Sequence, residues 1–329
     1  MNKPTLYLHI GMNKTGSSAL QYWFNQNREA LLDRGILYPK TGISGVAHYG
    51  ISDILGFTGK NREDGLEIND IDYLKSSLCK EINSSSANKL LISSENFVLN
   101  RSLVDVESAF SDFECKILVY LRRHDSWLES AYNQSLKMVH QPKYGKGIEK
   151  FIVNTNKKTK NANYRYLVDR WARVFGKENI IIRPYESKIM SSGIVPDVLD
   201  ILGLRAEEFF ASNLNKVNAS LSNRANAILE VAQRSGLSKE QVSIVLDYLK
   251  KTDEVRQKVS LLSPKRRRQI VKNNQSQYSY LSKKFLNGKQ LFSEPVPMDD
   301  ESWTTFKRPS EEEIVSEILK ALNVSKHQY

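Results

Sequence analysis

The stretch His9-Ile-Gly-Met-Asn-Lys-Thr-Gly-Ser-Ser-Ala-Leu-Gln21 follows the apolar run Leu6-Tyr-Leu-His-Ile10 and precedes a helical pattern of Leu20, Trp23, Phe24, Asn27 and Leu31. It reads as strand, loop, helix. A buried strand that empties through Gly11 and Gly16 into a helix start aims backbone N–H groups at one point, and that point suits an anionic oxygen. Lys14 adds a positive charge, Gly16 permits close approach of the chain, and Thr15, Ser17 and Ser18 add hydroxyl donors. A bare glycine turn would account for Gly11 and Gly16 but not for a lysine with three hydroxyls.

The loop departs from the nucleotide-triphosphatase pattern Gly-x-x-x-x-Gly-Lys-Ser/Thr, because Lys14 stands before the glycine and not after it. In that pattern the hydroxyl after the lysine holds magnesium. Here the order Lys14-Thr15-Gly16-Ser17-Ser18 resembles the 5′-phosphosulfate loop of sulfotransferases that use 3′-phosphoadenosine 5′-phosphosulfate (PAPS).

Composition sets the outer bounds. The 329 residues suffice for one large or two modest domains. A net charge of +11 favours anionic partners without choosing among nucleotide, acidic glycan, nucleic acid or membrane surface. Cys79 and Cys115 lie in apolar contexts and read as buried reduced thiols. The first apolar run is only strand-long and no stretch nears the ~18 apolar residues of a membrane span, so neither a signal peptide nor a membrane span is expected and the expected location is cytoplasmic.

Along the chain, the first helix is expected to end near Arg34-Gly35, and Ile36-Leu-Tyr-Pro39 to form a short edge strand closed by proline. Residues 40–66 read as a loop region able to cover a site. Within it His48 is either a solvated histidine or a residue on the acceptor side, in reserve as a base. A helix over 70–84 leads to the buried strand Lys89–Ser94, which delivers Glu95 at its carboxyl end. In open α/β sheets that end faces the ligand crevice, although a helix cap or surface carboxylate would also fit. The strand Cys115–Leu121 ends in Arg122-Arg123-His124-Asp125 before a helix carrying Ser130. At ~3.6 residues per turn Ser130 falls one to two turns into that helix, so a guanidinium at 122, or at 123 as the alternative, can converge with its hydroxyl on one phosphate. Tyr132, Ser135 and Met138 form a stripe read as core packing.

Tyr166, Leu167, Trp171 and Phe175 recur at helical spacing before Gly176, and Asn179–Tyr185 forms a further strand, giving the crossover units of a parallel sheet. Beyond Leu202 the pattern is helical and basic. Asn213–Ser222 reads as a polar connector, or, as its resemblance to the Asn-x-Ser stretch of such sulfotransferases implies, as a loop returning to the nucleotide, and Lys143–Gly147 after His140 reads as a solvated turn in preference to a substrate loop. The run Lys265-Arg-Arg-Arg268 is the strongest feature for nucleic acid. It lacks interleaved aromatics and reads better as a solvated or glycan-facing surface. Ser310 is expected to cap a last helix with an acidic first turn.

The motifs from residue 5 to 185, in this order, resemble PAPS-dependent sulfotransferases of the bacterial type. They include Trp171-x-x-x-Phe175-Gly176 and the Ile-Ile-x-x-Tyr pattern that ends at Tyr185. The resemblance implies an α/β, P-loop-type three-layer fold with a central parallel sheet, followed by a mostly helical C-terminal region, with a PAPS-binding core over 1–205 and a helical extension over 206–329. It implies Lys14, Thr15, Gly16, Ser17 and Ser18 around the 5′-phosphosulfate, with Lys14 also catalytic in stabilising charge at the bridging oxygen, Arg122 and Ser130 on the 3′-phosphate, and Glu95 as catalytic base. Adenosine 3′,5′-bisphosphate would be the product, with no metal. Ala19 stands where small-phenol and steroid enzymes carry an adenine-stacking tryptophan, and their Arg-Lys-Gly motif is absent. A hydroxyl acceptor on a glycan or glycolipid is therefore expected, with no nucleic-acid partner. The competing readings are a P-loop kinase using ATP and magnesium, and a non-catalytic protein that keeps an anion pocket.

Overall fold

The computed structural model describes residues 3–58, 71–138, 147–158, 162–209, 221–253, 260–298 and 303–326. In chain order it begins with β1 (Thr5–His9), α1 (Ser17–Gln26), α2 (Arg28–Leu32), β2 (Ile36–Leu37), α3 (Tyr49–Ile54), α4 (Ile71–Asn83), β3 (Lys89–Ser93), α5 (Val104–Ala109) and β4 (Glu114–Leu121). Then come α6 (His124–Lys137), α7 (Gly147–Lys158), α8 (Tyr164–Phe175), β5 (Ile180–Pro184), α9 (Ser187–Ser192) and α10 (Ile194–Ile201). The chain closes with α11 (Asn223–Ala232), α12 (Lys239–Thr252), α13 (Pro264–Phe285) and α14 (Glu311–Lys326).

Two compact units are formed, the first from 1–123, 160–217 and 275–294, the second from 124–159, 218–274 and 295–329. This division is discontinuous in sequence and differs from the single expected boundary near 205. The chain leaves the first unit directly after β4, so Ser130 on α6 belongs to the second, and residues 275–294 return to the first.

In the first unit the five strands form one sheet in the order β2-β3-β1-β4-β5, with every neighbouring pair parallel. The register pairs Leu8 with Ile92 and Ile117, and Tyr7 with Leu91 and Lys116. Both residue parities of β3 and β4 are apolar and buried, as expected of strands covered on two faces. On one face Leu20, Trp23 and Phe24 of α1 and Val195, Val198 and Leu199 of α10 pack with Leu91, Leu118 and Tyr120. At the β3 exit Phe97 meets Phe57 and Trp171, with ring centroids 5.0 and 6.1 Å away. The α/β class with a central parallel sheet is as the sequence implies.

Local capping follows the residue types. The expected first helix breaks at Asn27, whose side-chain amide donates to Trp23 O at 2.8 Å and separates α1 from α2. Asn163 caps α8 through Tyr166 N at 2.9 Å, and Gly176, at φ +84°, ends it. Residues 49–54, expected to be irregular, form α3 instead.

In the second unit helices pack on helices. Val242, Val245, Leu246 and Leu249 give α12 a buried stripe, and Ile314, Ile318 and Ala321 do the same for α14. Ser310 and Glu313 form a reciprocal capping box at the start of α14. The α6 stripe is corrected: Tyr132 and Leu136, four residues apart, are buried, whereas Met138 is exposed. His140, Lys143 and Asn213 lie outside the described residues. Among the described residues no helix is long and apolar enough to cross a membrane.

Candidate active site

The sheet order places β1 at the centre, with β2 and β3 on one side and β4 and β5 on the other. The crossovers diverge beside β1, and crevices at the carboxyl ends of such sheets hold ligands. The exits of β1, β3 and β4 carry the Lys14 loop, Glu95 and Arg122.

The β1 exit is built on two glycines. Gly11 has φ +108°, and a Cβ there would stand 3.2 Å from Val98 Cγ1 and 3.4 Å from Glu95 Cα, so the loop runs against the β3 exit. Gly16 has φ +86°, and a Cβ would meet Ile194 Cγ2 and Tyr185 Oη, each at 3.3 Å. Lys14 is itself left-handed at φ 67°. Met12 N donates to Tyr120 O and Tyr120 N to Gly11 O, anchoring the start of the loop on β4.

The hydroxyls divide in a way the sequence does not reveal. Thr15 Oγ1 and Ser17 Oγ both donate to Met12 O, at 2.6 and 3.0 Å, and both residues are buried. A hydroxyl carries one proton, so these two brace the loop instead of presenting donors to a ligand. Ser18 is exposed at the helix start. The first hydrogen bonds of α1 run from Ala19 N and Leu20 N to Gly16 O, which leaves the Ser17 and Ser18 amides ahead of the ladder. Positive backbone dipole, Lys14 and Ser18 make this end of α1 suited to an anion.

Glu95 follows β3 as the first residue of a short 3-10 turn, capped by Ser94. Its two oxygens take separate donors: Tyr49 Oη donates to Oε1 at 2.9 Å and Gln21 Nε2 to Oε2 at 2.8 Å. Burial, reinforced by Glu95, holds the Tyr49 phenol above its ordinary pKa, so it remains a donor. Gln21 Nε2 also reaches Ser93 Oγ at 3.2 Å, and Ser93 Oγ lies 2.7 Å from His9 Nδ1. His9 is fully buried, which pushes its pKa down to about 4 and keeps the ring neutral at pH 7.

His48 is corrected from reserve base to structural brace. It is fully buried, its Nδ1 accepts from Ser93 N at 3.1 Å, and its Nε2 lies 3.0 Å from Pro39 O. Both ring nitrogens are thus engaged by backbone, and burial pushes its pKa down to about 3.

Arg122 directly follows β4, and its NH1 donates to Lys14 O at 3.1 Å while the guanidinium stands 5.8 Å from the Tyr185 ring centroid. The alternative, Arg123, donates to Glu294 O at 2.7 Å. Lys14, Glu95 and Arg122 therefore gather at one end of the sheet in the first unit. Ser130, half-buried on α6, belongs to the second unit.

The basic run on α13 has a different use from the one expected. In the second unit Arg267, 11% exposed, bonds Asp125 and Glu129. Arg266 pairs with Glu149 at 2.7 Å and Arg268 donates to Pro297 O at 3.1 Å. Three of the four cations are thus occupied within the protein. Among the described residues no group of three or more His, Cys, Asp or Glu converges as a metal site.

No protein-family model matches the chain. Over 140 residues it is 31% identical to an uncharacterized protein of Archaeoglobus fulgidus, and the match spans 42% of this chain but only 36% of that protein. The crystal structure of a sulfotransferase from Alicyclobacillus acidocaldarius aligns over 67% of this chain and 87% of its own, at 17% identity and a TM-score of 0.41.

Proposed function

We propose that the protein is a sulfotransferase that moves a sulfuryl group from PAPS to an acceptor hydroxyl on a glycan or glycolipid. The observation that carries this reading is the convergence of the Lys14 loop, Glu95 and Arg122 at neighbouring strand exits, with Arg122 bonded to Lys14 O and Gly11 packed on Glu95. A metal-free transfer suits a sulfuryl group, which carries less charge than a phosphoryl group and can be stabilised by a lysine and backbone dipoles.

In this reading the helix-start amides of Ser17 and Ser18, the Ser18 hydroxyl and Lys14 hold the 5′-phosphosulfate end. Thr15, Gly16 and the Ser17 hydroxyl shape the loop. Arg122 holds the 3′-phosphate. The acceptor oxygen attacks sulfur as the bond from sulfur to the bridging phosphate oxygen breaks. That oxygen leaves with the electron pair on adenosine 3′,5′-bisphosphate, and the acceptor's proton passes to Glu95. A cytoplasmic location belongs to the same proposal.

The test is incubation with ³⁵S-labelled PAPS and fractionated envelope glycans. Label entering a glycan fraction, and lost on Lys14→Ala, supports the reading. Label that stays on nucleotide with every fraction contradicts it.

A further inference from the structure

The two oxygens of the Glu95 carboxylate are each claimed by a donor from a different segment. Oε1 is held by the α3 phenol of Tyr49 and Oε2 by the α1 amide of Gln21. We propose that Tyr49 and Gln21 are positioning residues that lock the Glu95 carboxylate in the orientation for accepting the acceptor's proton. The inference rests on Glu95 being that proton acceptor.

Both donors are themselves fixed. Gln21 is 2% exposed, and its amide nitrogen is shared between Glu95 and Ser93 Oγ, which lies against His9 Nδ1. Tyr49 begins α3, and α3 is tied to the β3 exit at several points. His48 N donates to Ser93 O at 2.9 Å, Ser93 N to His48 Nδ1 at 3.1 Å, and Ser94 Oγ to Ser52 Oγ at 3.1 Å. Ser52 Oγ in turn donates to Tyr49 O at 2.8 Å. This gives the buried His48 a purpose: it sets the segment from which Tyr49 reaches Glu95.

Gln21 adds a second consequence. It lies four residues beyond Ser17 on α1, about 6 Å along the helix axis. The anion-facing start of α1 and the donor that aims Glu95 are thus parts of one short rigid body. A carboxylate with one donor on each oxygen loses its rotation about the last side-chain bond, yet keeps a lone pair on each oxygen for an incoming proton. Sub-ångström placement of that kind is where orientation contributes to rate.

Two measurements test the assignment. The first needs no acceptor: the Glu95 carboxylate stretch, isolated as the wild-type minus Glu95→Gln infrared difference spectrum, is expected to move in both Tyr49→Phe and Gln21→Leu. An unmoved band overturns the inference. The second reads label transfer from PAPS to envelope glycans in a double-mutant cycle. Tyr49→Phe is expected to lower turnover about tenfold in the wild-type background and to add no further loss in the Glu95→Gln background, because it acts through Glu95. Equal losses in both backgrounds, or none in the wild type, would mark Tyr49 as merely structural and overturn the inference while leaving Glu95 as base. Wild-type turnover in Glu95→Gln would instead remove the base itself, and the inference with it. Tyr49→Phe is nearly isosteric and tests the assignment should Gln21→Leu fail to fold.

Discussion

Gln21 Nε2 stands 2.8 Å from Glu95 Oε2, joining the helix that starts the candidate phosphate site to the carboxylate at the neighbouring strand exit. Loop, helix and carboxylate thereby form one construction. Its energetics and chemistry lead to separate expectations.

Glu95→Gln keeps the side-chain volume and an acceptor oxygen but removes the basic group. Turnover with PAPS is expected to fall by on the order of 10²–10⁴, while the dissociation constant for adenosine 3′,5′-bisphosphate stays within about twofold. Parallel kinetics and calorimetry on the variant check both halves. A matched loss of nucleotide affinity would move Glu95 from proton transfer to nucleotide binding.

Gly16→Ala forces a left-handed residue to carry a Cβ against Ile194 and Tyr185, each 3.3 Å away. The left-handed backbone alone costs about 1–2 kcal/mol, and the contacts add to it. Denaturant unfolding is expected to show a loss of at least that size, together with weaker bisphosphate binding. An alanine variant of unchanged stability would mean that the loop has another conformation in solution.

Acid should destabilise the first unit through its buried histidines. His9 and His48 have folded-state pKa values lowered to about 4 and about 3 from an ordinary value of 6.5. A depressed folded value means that the unfolded state binds protons first. The stabilisation is therefore whole above about pH 6.5 and is lost as pH falls toward 4 for His9 and toward 3 for His48. Between pH 7 and 4.5 each contributes a loss on the order of 2–3 kcal/mol. Denaturant midpoints across that range, compared with His48→Asn, read the effect as a shallower slope in the variant.

Much of this was legible from residue types in order. The apolar run into Gly11, Lys14 and Gly16 announces a strand, an anion loop and a helix. The exits at Glu95 and Arg122 follow from where the buried strands stop. What sequence cannot show is where a side chain spends its hydrogen bond. Thr15 and Ser17 look like ligand donors, yet the nearest acceptor, Met12 O, is their own loop. Gln21 and Tyr49 reach Glu95 across 74 and 46 residues, and nothing local marks them beyond Gln21 falling on the loop's helix. Neither a solvated His48 nor a reserve base matches its burial, because its partners, Pro39 O and Ser93 N, are backbone groups that leave no trace in composition. The helical pattern beyond Leu202 is legible, but the discontinuous division of the chain into two units depends on tertiary packing that no local pattern encodes.

The same limitation hid the role of Arg267. In the second unit Asp125 is fully buried and Glu129 is 15% exposed, and both face this one guanidinium. Arg267→Ala leaves two carboxylates without it and is expected to cost about 3–5 kcal/mol. Lys265→Ala, on the exposed side of the same run, is expected to change stability by less than about 0.5 kcal/mol. Denaturant unfolding of the two variants gives the comparison. Equal, small effects would mean that the buried ion pairs do not form in solution.

Calorimetric titration with adenosine 3′,5′-bisphosphate in the presence of a metal chelator tests the central claim most directly. Binding that persists with chelator, and is lost in both Lys14→Ala and Arg122→Ala, is the predicted result. Binding of ATP that requires magnesium, with no heat from the bisphosphate, would contradict the account and turn the site toward phosphoryl-transfer chemistry.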